Sequence, residues 1–214
     1  MPFAEALLSI AAFLIALSVH EFCHALAGYL MGDGTAKRLG RLTLNPLAHL
    51  DPIGTVLVPL IGLLSGFPVI GWAKPVPFNP YNLRFHRWGA TLVAMAGPAS
   101  NFVSGLIFLF LLKFVLVVLA LPLSNLLVML LTQLVIVNAV LGVFNLIPVP
   151  PLDGAALMEA LLAAPKYHNI LRFLETRGPT ILFILIILDW LSPVSIIGSV
   201  FTAIIRGYFS LAGL

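Results

Sequence analysis

The sequence predicts an all-α polytopic membrane protein: a three-helix core, a membrane-embedded loop or strand segment, and extra C-terminal helices, four to six spans in all. Three observations predict it. The 214 residues are 61% hydrophobic and only 9% charged, too apolar for one soluble core to bury. Residues 3–31, 92–121 and 126–147 are each long and apolar enough to cross a hydrocarbon layer of about 30 Å. Nine of the eleven Lys and Arg fall in three polar segments, Lys37, Arg38 and Arg41, then Lys74, Arg84 and Arg87, then Lys166, Arg172 and Arg177, as expected of cytoplasmic loops under the positive-inside rule. The net charge of +3 therefore reports topology and gives no sign of a nucleic-acid partner. One cysteine, Cys23, excludes an internal disulfide.

The first span, 3–31, ends at Gly32-Asp33-Gly34. Residues 1–5 lack a basic segment of the signal-peptide kind. Within the span, His20-Glu21-Phe22-Cys23-His24 writes HExxH where a membrane helix rarely carries ionisable groups. Histidines four apart lie about 40° apart on one helix face, so both can turn a ring nitrogen to one metal ion. Glu21 sits about 80° from their midline, close enough to hold or deprotonate a water without being a ligand. Cys23 flanks the histidines on the other side, either as a small packed residue or as a thiol within reach of the metal. His20 lies about 25 Å along the helix, near the end that the basic cluster from Lys37 to Arg41 marks as cytoplasmic.

Leu39, Arg41 and Thr43 alternate with Leu42 and Leu44 weakly like a strand within 35–50, before Asn45-Pro46 turns the chain. Residues 53–72 are apolar enough to span but contain Pro59, Gly62, Gly66, Pro68 and Gly71. A single crossing would carry Lys74, Arg84 and Arg87 outside, so charge favours a re-entrant segment. Residues 76–82, rich in proline and asparagine, read as a loop or short edge strand. The second span is entered through Gly97-Pro98-Ala99-Ser100-Asn101, and Lys113 within it snorkels outward. After the turn Pro122-Leu123-Ser124-Asn125, the third span returns inward and breaks at Pro148-Val149-Pro150-Pro151, just before Leu152-Asp153-Gly154. A short helix over 155–164 leads into the charged stretch 166–177; 179–191 and 193–205 then form one kinked span or a tight hairpin. No internal repeat stands out.

A catalytic zinc site takes three protein ligands and keeps one position open, so two histidines leave one ligand to find among Asp153, Asp189, His49, His86, His168 and Glu159. Asp153 has the right depth, following an inward-running span at a helix break, although a carboxylate at a helix start can instead serve as an N-cap. Asp189 beside Trp190 reads as an interfacial residue, Arg206 as a terminal anchor, and His49 and His86 as loop residues.

At these residues the chain resembles the site-2 protease family of intramembrane metalloproteases. Asn145-Leu146-Ile147-Pro148-Val149-Pro150-Pro151-Leu152-Asp153-Gly154 matches the family's N-x-x-P-x-P-x-L-D-G, and Gly97-Pro98-Ala99-Ser100-Asn101 its G-P-x-x-N. The resemblance covers a catalytic membrane core, 1–164, more than the C-terminal membrane segment, 165–214. It implies one Zn2+ per chain on His20, His24 and Asp153, Glu21 as general base, and Asn145 steadying the oxyanion or the substrate strand. It further implies transmembrane protein or peptide substrates, cleaved within or near the bilayer by regulated intramembrane proteolysis, in the cell membrane of a prokaryote with the site towards the cytoplasm. Few residues separate the second and third spans and the C-terminal region is hydrophobic, so the chain resembles minimal members without a PDZ or nucleotide-binding module. Two other readings carry different expectations: a membrane-tethered protease with its site in the cytosol would place HExxH outside the apolar run, and a metal transporter would not require Glu21 between the histidines.

Overall fold

The computed structural model describes residues 3–65, 71–85 and 87–214. The first helix, α1 (Phe3–Leu30), runs unbroken through HExxH. It ends where Gly32 takes a φ of 107°, a left-handed conformation that glycine adopts without penalty. Asp33 then fastens the turn. Its Oδ1 accepts from Thr35 N, Thr35 Oγ1 and Asn82 Nδ2, and its Oδ2 from Asn79 N at 2.7 Å, which ties the end of α1 to the segment that precedes the second long helix. Burial pushes this carboxyl up, but hydrogen bonds from Asn82, Thr35 and Asn79 outweigh it and hold the group below its ordinary range.

The weak strand pattern after this turn gives way to helical turns. The chain forms α2 (Thr35–Arg38), Gly40 at φ 68° closes it, and Arg41 N bonds back to Ala36 O at 2.8 Å. A 3-10 turn, Pro46–Ala48, follows, with the Asn45 side chain accepting from Leu47 N. Local turn chemistry at Gly40 and Asn45-Pro46 defeats a short alternation that has no partner strand among the described residues. Arg41 is also no free loop charge: it is buried, and its guanidinium donates to the carbonyls of Ala48, Lys74 and Pro75.

Segment 53–72 begins as a π-helical turn, Pro52–Leu57, and continues as α3 (Val58–Ser65). Together these described helical residues rise about 20 Å, short of the roughly 30 Å of a crossing. The chain comes back to where it left, because Trp72 N donates to Gly54 O at 3.1 Å and Thr55 Oγ1 to Trp72 O at 2.8 Å. The two ends of a single crossing would stand about 30 Å apart, so this contact supports the dip-and-return path. Gly54 is required there, since a Cβ would overlap the Trp72 indole. Gly66 and Pro68, and His86 further on, lie outside the described residues.

Two long helices complete the core, α4 (Arg87–Val117), with Pro98 in its interior, and α5 (Leu126–Asn145), N-capped by Asn125. Ala12, Leu109, Leu112, Val128, Leu134, Val135 and Ala139 pack where α1, α4 and α5 meet. Lipid is as apolar as leucine, so close packing, rather than the hydrophobic effect, holds such helices together. Among the described residues these three are the helices long and apolar enough to cross a membrane, or four spans if the bent C-terminal pair counts as one.

Beyond them, α6 (Gly154–Leu161) lies against α4, with Thr91 Oγ1 donating to Ala156 O at 3.1 Å. The charged stretch 166–177 is largely helical, because α7 (His168–Leu191) starts inside it and runs through Pro179. At an 85° bend α8 (Ile196–Ala212) begins. Asp189 makes that bend, taking Ile196 N and Ile197 N on Oδ1 and Ser195 Oγ on Oδ2, and so caps α8 from the end of α7. Tyr208 and Ala212 return α8 to the core.

Candidate metal centre

On α1 the HExxH spacing does what helix geometry requires: the His20 and His24 rings lie 4.5 Å apart by centroid, nearly perpendicular, with their Nε2 atoms 2.9 Å apart. The break after α5 brings in Asp153, whose Oδ2 is 3.2 Å from His20 Nε2 and 3.4 Å from His24 Nε2. Asp153 stands at the N-cap position of α6, yet its side chain caps nothing; the carboxylate turns to the imidazoles instead. Gly154 lets the turn close, because a Cβ there would overlap the Leu146 carbonyl. Among the described residues these three form the one cluster of His, Cys, Asp or Glu able to share an ion.

The other ring nitrogens decide what the cluster offers. His24 Nδ1 is 2.8 Å from the Val93 carbonyl, and His20 Nδ1 is 2.6 Å from Asn101 Oδ1. Both partners are oxygens that only accept, so each Nδ1 carries a hydrogen, and in the neutral imidazole each Nε2 then presents a lone pair. Two lone pairs and a carboxylate oxygen thus face one another in a buried space, and Asp153 Oδ2 has no hydrogen-bond donor. Three acceptors held together without a proton repel unless a cation lies among them, and imidazole with carboxylate is a donor set that suits zinc. The residues present therefore fit a metal ion.

Gly97 makes the packing possible. A methyl at this position of α4 would overlap the His24 ring and lie 2.6 Å from His20 Cε1. The cluster opens on a cavity of about 560 Å3, lined on one side by Leu17, Glu21, Val93 and Ala94, and on another by Trp72, Ala73, Pro75, Val76 and Phe78. Asn145 and Leu152 border it, and Pro179, Leu182, Phe183 and Ile186 of α7 form the far wall. Glu21 is 7% exposed, and among the described residues nothing hydrogen-bonds its carboxylate. Asn145 reaches the cavity, with its amide nitrogen donating to Leu141 O at 3.0 Å.

The remaining candidates lie elsewhere. His49 is fully buried in its loop, with Nε2 donating to Thr43 O at 2.8 Å. Glu159 and His168 are exposed, Asp189 is the cap of α8, and Cys23 is half-buried outside the cluster. Sequence reasoning missed the Val93 carbonyl, the contact of Asn101 with His20, Asn138 behind it, and the wall that α7 contributes. Only Asn101 carried a signal, as the end of G-P-x-x-N; a backbone acceptor and a helix wall have none.

A family model described as peptidase family M50 matches residues 115–188. A Bacillus subtilis protein provisionally named zinc metalloprotease YwhC is 41% identical over 153 residues, covering 70% of this chain and 66% of its own. Proteins provisionally named zinc metalloprotease Rip2 are 31% identical in Mycolicibacterium smegmatis, over 85% of this chain and 67% of theirs, and 28% identical in Mycobacterium tuberculosis strain Erdman, over 80% and 67%. The chain thus spans about two thirds of the length of these relatives. No solved structure matches it significantly.

Proposed function

Because the chain belongs to peptidase family M50, the site-2 protease family, we propose that it is an intramembrane zinc endopeptidase that hydrolyses peptide bonds in or near the transmembrane helices of membrane proteins. The observation that carries this is the convergence of three potential ligand atoms, His20 Nε2, His24 Nε2 and Asp153 Oδ2, beside an uncommitted Glu21 at the wall of a cavity among apolar helices. His20, His24 and Asp153 would hold the zinc ion, which when bound would supply a Lewis acid to acidify water and polarise a peptide carbonyl. Glu21 takes the proton from the attacking water and returns it to the departing amine nitrogen. Asn145, at the cavity edge, steadies the oxygen that gains charge or the strand that bears it.

An intact transmembrane helix hides its peptide bonds, so the substrate must be extended before cleavage. The edge from Trp72 to Phe78 is the place for it in this reading. In an extended chain alternate residues turn their N–H and C=O to opposite edges. Here Trp72 and Lys74 spend theirs inward, Lys74 N donating to His49 O at 3.0 Å and Lys74 O accepting from Arg41. Ala73 lies between them on the cavity wall, and its N–H and C=O have no partner among the described residues. An unwound substrate strand adds to that edge.

The basic loops support a site near the cytoplasmic face of a prokaryotic cell membrane, where water has a short path. Regulated cleavage of a signalling substrate is the biological setting that this reading implies, with 1–164 as the catalytic unit and 165–214 contributing the far cavity wall. Glu21→Gln tests the function. The variant is expected to keep one zinc per chain and lose cleavage of a transmembrane peptide. Undiminished cleavage, or zinc-dependent ion flux without cleavage, overturns the proposal.

A further inference from the structure

Behind His20 a hydrogen-bonded chain crosses from α1 through α4 to α5. His20 Nδ1 meets Asn101 Oδ1 at 2.6 Å, Asn101 Nδ2 donates to Asn138 Oδ1 at 3.0 Å, and Asn138 Nδ2 donates to the Leu134 carbonyl at 2.8 Å. Asn101 and Asn138 are both fully buried. Glycines bring the helices together at this level: a Cβ at Gly105 would lie 3.4 Å from Asn138 Cβ, and one at Gly142 would lie 3.3 Å from Asn101 Cβ.

The direction of this chain is set at its far end. An asparagine amide can present oxygen or nitrogen with almost the same shape, so Asn101 alone could face His20 either way. A backbone carbonyl only accepts. Asn138 must therefore give its NH2 to Leu134 O, which turns its oxygen to Asn101. Asn101 must then answer with NH2, which turns its own oxygen to His20, and His20 must carry its hydrogen on Nδ1. We infer that Asn138, a residue that touches no metal ligand, is a positioning residue: through Asn101 it locks His20 in the Nδ1–H tautomer and keeps the Nε2 lone pair aimed at the metal. His24 needs no such relay, because the Val93 carbonyl fixes it directly.

The inference rests on His20 as a metal ligand, and its test separates the two claims. The probes are zinc itself, titrated against a chelator, and 15N spectra of zinc-free protein labelled at histidine, with the His20 signals assigned from a His20→Gln difference spectrum. In the wild type His20 is expected as Nδ1–H. Asn138→Leu leaves Asn101 free to turn, so His20 gains the Nε2–H tautomer and zinc affinity falls about 10- to 100-fold, the usual effect of losing an outer-shell partner, while the His24 signals stay put as the internal control of folding. Asn138→Asp, as the neutral acid, can donate its O–H to Leu134 O and keep an acceptor facing Asn101, and is expected to hold affinity within about threefold. A packing role alone predicts the reverse order, since a buried site tolerates leucine better than an added carboxylate. An unchanged His20 tautomer in Asn138→Leu, or zinc binding weaker in Asn138→Asp than in Asn138→Leu, overturns the relay. A wild-type chain that takes up no zinc overturns the metal assignment instead, and the tautomer still decides the relay.

Discussion

Adding one methyl at Gly97 should disable the centre without touching a ligand. The new carbon would lie 2.6 Å from His20 Cε1 and overlap the His24 ring, whereas ordinary carbon contacts are about 3.5–4.0 Å. The rings or α4 must therefore yield by about 1 Å. Zinc–imidazole bonds are about 2.0–2.1 Å with a tolerance near 0.2 Å, so a displacement of that size removes at least one ligand from bonding range. Zinc affinity is expected to fall at least ~100-fold, equivalent to about 2.7 kcal/mol, and cleavage to fall with it. The assay is chelator competition on the purified protein, with thermal unfolding followed in parallel. Gly207→Ala is the control, because nothing lies within 4 Å of a Cβ there. Wild-type zinc affinity in Gly97→Ala would refute the packing described for the site.

Ala73→Pro removes an N–H that has no partner among the described residues, on a residue lining the cavity, and is expected to lower kcat/KM about 2- to 10-fold, the worth of one hydrogen bond, with zinc content unchanged; an unchanged kcat/KM counts against strand addition. Asp33→Ala leaves four donors without their acceptor and should cost roughly 2–4 kcal/mol of stability, measured by chemical unfolding in detergent. Because the folded Asp33 carboxyl titrates below its ordinary range, its contribution is fully present above the unfolded value of about 3.9 and is lost as pH falls through the lower folded one. The difference between wild type and Asp33→Ala should therefore be flat from neutrality to about pH 5 and shrink only in stronger acid.

The parts legible in the sequence are those that a period or an ordered motif fixes. HExxH on an apolar run places two imidazoles on one face of α1 whatever surrounds it, and the proline break before Asp153 ends α5 close to where the apolar pattern stops. What was not legible depends on neighbours distant in the chain. Arg41 reads as a loop charge, yet carbonyls of Ala48, Lys74 and Pro75 converge on it, and no local pattern announces three backbone acceptors. The basic stretch before Pro179 reads as loop but continues as α7, because a proline costs a helix only local hydrogen bonds and Gly178 lets that helix sit against Pro150. Asn138 looks like one more polar residue in a spanning helix; only the fold sets it behind Asn101.

The proposed centre has His20, His24 and Asp153 together holding one zinc ion beside Glu21. X-ray absorption at the zinc edge of the purified full chain tests it most directly. One zinc per chain is expected in a shell of nitrogen and oxygen only, with two imidazoles at about 2.0–2.1 Å, and one imidazole lost in His20→Ala. A sulfur contribution at about 2.3 Å, which would bring Cys23 into the shell, or an unaltered shell in His20→Ala, would contradict it.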